Sequence, residues 1–285
     1  MRERTGEPLT IIAGGGSVPA RVAAAATAQG RPVQIIGIAG EADPGIAAFR
    51  HEWIGWGELG RLDGLLKAHG GRDLVLVGSV HKRPDFKGIR LDLATIRSLK
   101  DILSIVLGGD NDVLSGAIRF FEKRGQRIVG AHEIATDLVA SPGPLGRRKP
   151  SRANAADISQ AMRAAHAIGA IDAGQAAVVV EGRVVALEAA EGTDAMLERV
   201  QAIRASGRVR WDGQAGVLAK CPKPQQDLRV DMPAIGLRTL EAAVSAGLAG
   251  IAVAAGKVMI LDRAEMIERA DATGFFVVGI EESPA

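Results

Sequence analysis

The chain has one cysteine, Cys221, no tyrosine, and only 3% aromatic residues. A lone cysteine excludes a disulfide framework and a cysteine-based zinc site, which fits a reducing compartment. So few aromatic side chains leave little to stack against single-stranded nucleic acid. An excess of charge is missing as well: 35 Lys and Arg balance 33 Asp and Glu, for a net charge of +2. That balance by itself argues for neither nucleic acid nor strong membrane attraction. No uninterrupted, strongly apolar run approaches the ~18 residues of a membrane span. The opening MRERTGEP lacks the apolar region of a secretory signal, so a cytoplasmic protein is expected.

What is present is an apolar fraction of 47% over 285 residues, enough for two ordinary domains. LTIIAG, PVQIIGI and DLVLVGSV are short buried-strand runs separated by helical patterns. Such alternation predicts a parallel sheet with helices on its faces, of Rossmann-like type, over residues 1–140. Helices are expected over 18–29, 91–107 and 112–124. SPGPLGRRKPSRAN concentrates Pro, Gly and basic residues, and 141–152 reads as the interdomain connection. Residues 153–285 then form a second, mixed-sheet α/β domain, expected to be catalytic. Its VVVEGRVVALE predicts a hairpin turning on Glu181 and Gly182, and Thr193 is expected to cap the following helix.

The first strand runs into LTIIAGGGSVPARVAAAA, and a helix leaves it. Glycines before a helix N-terminus suit an anion, because free N–H groups and the helix dipole both favour negative charge. The dinucleotide fingerprint, however, requires a third glycine where Pro19 stands and an acid closing the second strand, where the chain reads IIGIAG. Gly14, Gly15 and Gly16 therefore predict a phosphate or nucleotide site other than a nicotinamide site. VGSVHKRPDF follows the third run, and His81, Lys82 and Arg83 there offer donors to phosphate. His132 in GAHEIATDL is expected to be a polar substrate contact, since no other histidine shares a metal-ligand spacing with it.

Carboxylates dominate the second half. In PKPQQDLRVDMP, an extended middle would put Asp227, Arg229 and Asp231 on one face. Upstream, Glu188, Glu191 and Asp194 bring further carboxylates to a strand end and a helix start. Oxygen ligands at this density suit Mg²⁺ or Mn²⁺.

IIAGGGSVP, VGSVHKRP, GAHEIATDLVASPGPLG, RRKPSRANAADI, VVVEGRVVALEAAEGTDAML and AKCPKPQQDLRVDMPAIG recur here in order. Together they resemble the UDP-2,3-diacylglucosamine hydrolases of lipid A synthesis, the LpxI type. The resemblance covers about Leu9 to Ile280. It implies a metal-dependent pyrophosphatase, cytoplasmic and peripherally associated with the inner membrane, that releases UMP and 2,3-diacylglucosamine 1-phosphate (lipid X).

On this resemblance Asp227 is the expected essential carboxylate, as metal ligand or as base aligning water, with Asp231 its partner in either role and Arg229 stabilising charge on the phosphates. Glu188, Glu191 and Asp194 are further metal or water contacts. Thr193, Lys220 and Lys223 would contact phosphate. Gly15, Gly16, Ser17, Ser79, His81, Lys82, Arg83 and His132 would hold the UDP or sugar-phosphate half. A homodimer is the base-rate expectation. A nucleotide-sugar oxidoreductase or transferase, or a non-catalytic nucleotide-sugar sensor, remains open on the same scaffold.

Overall fold

The computed structural model describes residues 6–80, 92, 94–95 and 110–282. They divide into two compact units: Met1–Thr136 with Arg229–Asp231, and Asp137–Leu228 with Met232–Ala285.

In the first unit the apolar runs become β1 (Leu9–Ala13), β2 (Val33–Ile38), β3 (His51–Ile54), β4 (Asp73–Val77) and the short β5 (Arg127–Ile128). They form one sheet in the order β3-β2-β1-β4-β5, with every pair parallel. The helices are α1 (Val18–Ala28), α2 (Leu59–His69), α3 (Asp110–Glu122) and α4 (Ala131–Ile134). The expected helix over 91–107 lies outside the described residues. In α1, Val22, Ala23 and Ala26 are fully buried, the three- and four-residue spacing of a core-facing stripe. Leu62 and Leu66 of α2 pack with Ile36, Leu74 and Phe121. The chain reverses its direction of winding between β1 and β4, and such a switch point is where open α/β sheets leave a crevice beyond the strand ends.

The second unit begins with β6 (Gly143–Pro144), α5 (Arg152–Ala170), the hairpin β7 (Ala176–Val180) and β8 (Arg183–Leu187), and α6 (Gly192–Ala205). There follow β9 (Val217–Lys220), β10 (Ala234–Ile235), α7 (Leu237–Ser245), β11 (Gly250–Ala254), β12 (Met259–Ile260), α8 (Arg263–Ala272) and β13 (Phe276–Ile280). Its main sheet has the order β6-β13-β11-β9-β7-β8. Strands β9, β11 and β13 are parallel, while β6 and β7 join antiparallel, which makes the sheet mixed. β7 and β11 are buried at every position, as central strands covered on both faces must be.

The hairpin turn has positive φ at both central residues, 48° at Glu181 and 75° at Gly182, the backbone that a tight two-residue hairpin demands. The buried carboxylate of Asp157 accepts both turn amides, at 3.0 and 2.7 Å. The stretch 141–152 is woven into this unit rather than left as a bare connection. Gly143 and Pro144 pair with β13, and Asp271 accepts from the Arg147 amide at 2.7 Å. Ser151 caps α5 reciprocally with Asn154.

Candidate functional site

The carboxyl edge of the first sheet gathers the ends of β1, β4 and β5, and with them Gly15, Gly16, Ser17, Ser79 and His132. The glycines belong there because two backbones meet. A methyl group on Gly14 would stand 2.4 Å from the Ser79 carbonyl oxygen, and one on Gly78 only 2.6 Å from the Gly14 carbonyl carbon. Gly15 and Ser79 exchange backbone hydrogen bonds at 2.8 and 3.0 Å. The Gly14 amide donates to the Val77 carbonyl at 2.9 Å. The Gly16 amide donates to the carboxylate of Asp43. The three glycine amides are thus engaged within the unit, two joining the ends of β1 and β4 and one holding an internal anion. Asp43 comes five residues beyond β2 and reaches back to the glycines.

His132 lies in α4, just past β5. Its ring fits only because position 130 is glycine, where a methyl group would meet ring atoms at 2.3 and 2.6 Å. Glu133 closes this start by accepting the Gly130 amide at 2.8 Å. The His132 Nδ1 is buried with no hydrogen-bond partner among the described residues. Burial pulls its pKa below the ordinary 6.5, against the opposing charge of Glu133, so the ring is neutral at pH 7. His81, Lys82 and Arg83 lie outside the described residues.

In the second unit three expected site residues meet one another. Lys220 closes β9, with only 7% of its surface exposed, and Glu188 and Thr193 are 6% and 8% exposed. The Lys220 ammonium donates to Thr193 Oγ1 and to the Ala234 carbonyl, each at 3.0 Å. The Thr193 hydroxyl donates to Glu188 Oε1 at 2.6 Å, and the Gln175 amide donates to Glu188 Oε2 at 2.8 Å. The result is a buried ion pair relayed through a hydroxyl. Burial lowers the Lys220 pKa, while the charges of Glu188 and Asp194 act to raise it. Thr193 is consequently not the helix cap expected of it. The cap position of α6 falls on Glu191, and the Thr193 hydroxyl is turned to Glu188.

The remaining acidic and basic candidates are paired separately. Glu191 binds Arg199, Asp194 binds Arg238 at 2.6 Å, and Lys223 binds Asp172 at 2.5 Å. Leu228, Arg229 and Val230 form a turn, so the strand-like alternation that would align Asp227, Arg229 and Asp231 is interrupted. Arg229 and Asp231 belong to the first unit and Asp227 to the second; Arg229 reaches Glu122 at 3.3 Å.

Among the described residues, the only acidic, histidine or cysteine side chains that bring three potential ligand atoms within 4.8 Å of one another are His166, Cys221 and Glu282. The carboxylates of 188–194 and 227–231 are not members of that group. Both ring nitrogens of His166 are engaged: Nε2 faces Glu282 at 2.6 Å, and Nδ1 faces Cys221 Sγ at 3.6 Å. Lys257 holds the other Glu282 oxygen at 2.7 Å. Nothing local in the sequence marks this cluster or Asp43, because the partners lie far apart in the chain and follow no motif spacing.

Two family models match the chain, the LpxI N-terminal domain over residues 8–138 and the LpxI C-terminal domain over residues 141–278. A curated relative, "UDP-2,3-diacylglucosamine pyrophosphatase LpxI" from Caulobacter vibrioides (strain ATCC 19089 / CIP 103742 / CB 15), is 40% identical over 273 residues. That alignment covers 96% of this chain and 97% of the relative.

Proposed function

The chain belongs to the LpxI family, and from that premise we propose that it hydrolyses the pyrophosphate bond of UDP-2,3-diacylglucosamine, releasing UMP and 2,3-diacylglucosamine 1-phosphate. The observation that carries the reading is the match to both family domains and to nearly the full length of a pyrophosphatase relative.

A pyrophosphate diester repels nucleophiles through its charges, so hydrolysis calls for neutralisation, an oriented water and a stabilised leaving phosphate. Asp227 is the proposed carboxylate that orients the water, with Asp231 and Arg229 from the same loop assisting. Water forms the new phosphorus–oxygen bond, the anhydride bond breaks, and the bridging oxygen leaves with the other phosphate. The carboxyl edge of the first sheet, with Gly15, Gly16, Ser17, Ser79 and His132, is the proposed seat of the UDP half. The unused buried Nδ1 of a neutral His132 supports that reading, because a buried polar atom without a partner is costly unless a ligand satisfies it.

Mg²⁺ or Mn²⁺ is proposed as cofactor from the charge of the substrate and from the carboxylates Glu188, Glu191, Asp194, Asp227 and Asp231, and no step is assigned to it. Association with the inner-membrane surface is proposed from the acyl chains of the substrate. No helix among the described residues is long and apolar enough to cross a membrane.

The test is incubation with UDP-2,3-diacylglucosamine and Mg²⁺, with and without EDTA, following UMP. Release of UMP that stops on chelation and resumes with added Mg²⁺ is expected. Binding without release would leave a nucleotide-sugar sensor, and full activity in EDTA would remove the cofactor proposal. Asp227→Ala should lower kcat by roughly 100-fold or more; a full rate would remove Asp227 from the chemistry.

A further inference from the structure

A lysine, a threonine and a glutamate, each more than nine-tenths buried, form the Lys220–Thr193–Glu188 relay at the carboxyl end of β9. Stability is a poor reason for such an arrangement, since well-packed apolar residues commonly replace buried ion pairs with no loss, whereas removing one partner alone is strongly destabilising. What the relay holds is more telling. The chain leaves β9 at Lys220, runs through the loop 221–233 that carries Asp227, and returns at Ala234, the first residue of β10. The Lys220 ammonium donates to the carbonyl of that same Ala234 at 3.0 Å, so one side chain closes the neck of the loop. Thr193 fixes the ammonium from the first turn of α6, and Glu188, anchored by the Gln175 amide, fixes the Thr193 hydroxyl.

We propose that Lys220 is a positioning residue, which with Thr193 and Glu188 clamps the neck of the 221–233 loop and thereby sets where Asp227 stands. The proposal rests on the reading of Asp227 as the reacting carboxylate. It replaces the expectation that Lys220 and Thr193 contact phosphate and that Glu188 binds a metal. A misplacement of about 1 Å is enough to cost roughly 100-fold in rate without touching the substrate.

The test uses the full chain with UDP-2,3-diacylglucosamine and Mg²⁺. Thr193→Val keeps the side-chain shape but cuts the relay, while Thr193→Ser keeps the hydroxyl. Lys220→Met combined with Glu188→Gln removes both charges together, so that neither is left buried alone, yet does not restore the bond to Ala234. Thr193→Val and the double variant should lose roughly 10- to 100-fold in kcat with KM within about twofold of wild type. Thr193→Ser should recover most of the rate, and the double variant should melt close to wild type.

A double variant with wild-type kcat would overturn the clamp, as would a rise in KM at unchanged kcat, which marks direct substrate contact. A double variant that is both destabilised and slow, with Thr193→Val fully active, would also overturn it, leaving a purely structural pair. Asp227→Ala is measured in parallel. If it is inactive while the relay variants are fully active, only the clamp fails. If it retains the wild-type rate, the reading of the loop fails and the clamp with it.

Discussion

The carboxylate of Asp43 accepts the backbone N–H of Gly16, so the protein's own anion sits on the amide that a phosphate would seek at the start of α1. Two negative charges cannot share that amide without repulsion, and a charge at a helix N-terminus is worth a few tenths to about 1 kcal/mol. Asp43→Ala should therefore strengthen UMP binding by about two- to fivefold. Calorimetric titration of UMP into wild type and variant measures this. Unchanged or weaker binding would show that the glycine loop does not receive the phosphate.

Gly14 and Gly78 face one another where the ends of β1 and β4 close. The atoms that would meet a new methyl group on Gly14 are backbone, 2.4 and 2.8 Å away, and cannot swing aside as a side chain can. Gly14→Ala should destabilise the first unit by about 1–3 kcal/mol. Gly45→Ala is the control, because a methyl group there meets open space and should change stability by less than about 0.5 kcal/mol. Denaturant midpoints compare the two, and equal shifts would contradict the close-approach account.

Legibility in the sequence followed locality. The parallel first sheet, the Glu181-Gly182 hairpin and helices α1 and α3 were readable because apolar spacing and turn chemistry act over a few residues. The site was less so. Glu188, Thr193 and Lys220 stand out as polar residues at strand ends and a helix start, but nothing local says that they bond to one another rather than to a ligand. Three glycines at a helix start signal an open anion cradle equally well as a tight crossing of two backbones. The crossing itself shows only when Ser79 and Asp43 return to the same place. The turn over Leu228, Arg229 and Val230 was hidden for a related reason: alternating Asp-x-Arg-x-Asp reads as a strand until the rest of the fold bends it.

Burial makes His132 a pH-sensitive element of the first unit. Its pKa in the folded protein lies below the ordinary 6.5 because the apolar surroundings disfavour the imidazolium. The unfolded chain therefore takes up the proton first. The contribution is fully present above about pH 6.5 and is lost as pH falls from there through the folded value. His69 is shifted the same way by burial, so His132→Gln should reduce the loss of stability between pH 7.5 and pH 5 without abolishing it. Melting temperatures across that range provide the comparison, and a variant with a pH slope equal to wild type would remove His132 as the cause.

Cys221 is fully buried, and burial together with the charge of Glu282 pushes its thiol pKa up to about 12 against the opposing charge of Lys257. Its Sγ faces His166 Nδ1 at 3.6 Å, yet the thiolate is the reactive form. At pH 8 a thiol of this kind stays protonated. The folded protein should consequently leave a chromogenic disulfide reagent untouched over hours, and in guanidinium it should release one equivalent per chain. In the range of urea where unfolding begins, the labelling rate should rise with the unfolded fraction, because the thiol is reached only through opening of the second unit's core. Rapid stoichiometric labelling in native buffer would instead place Cys221 in a solvent-reachable, activated state and would make the imidazole of His166 its base.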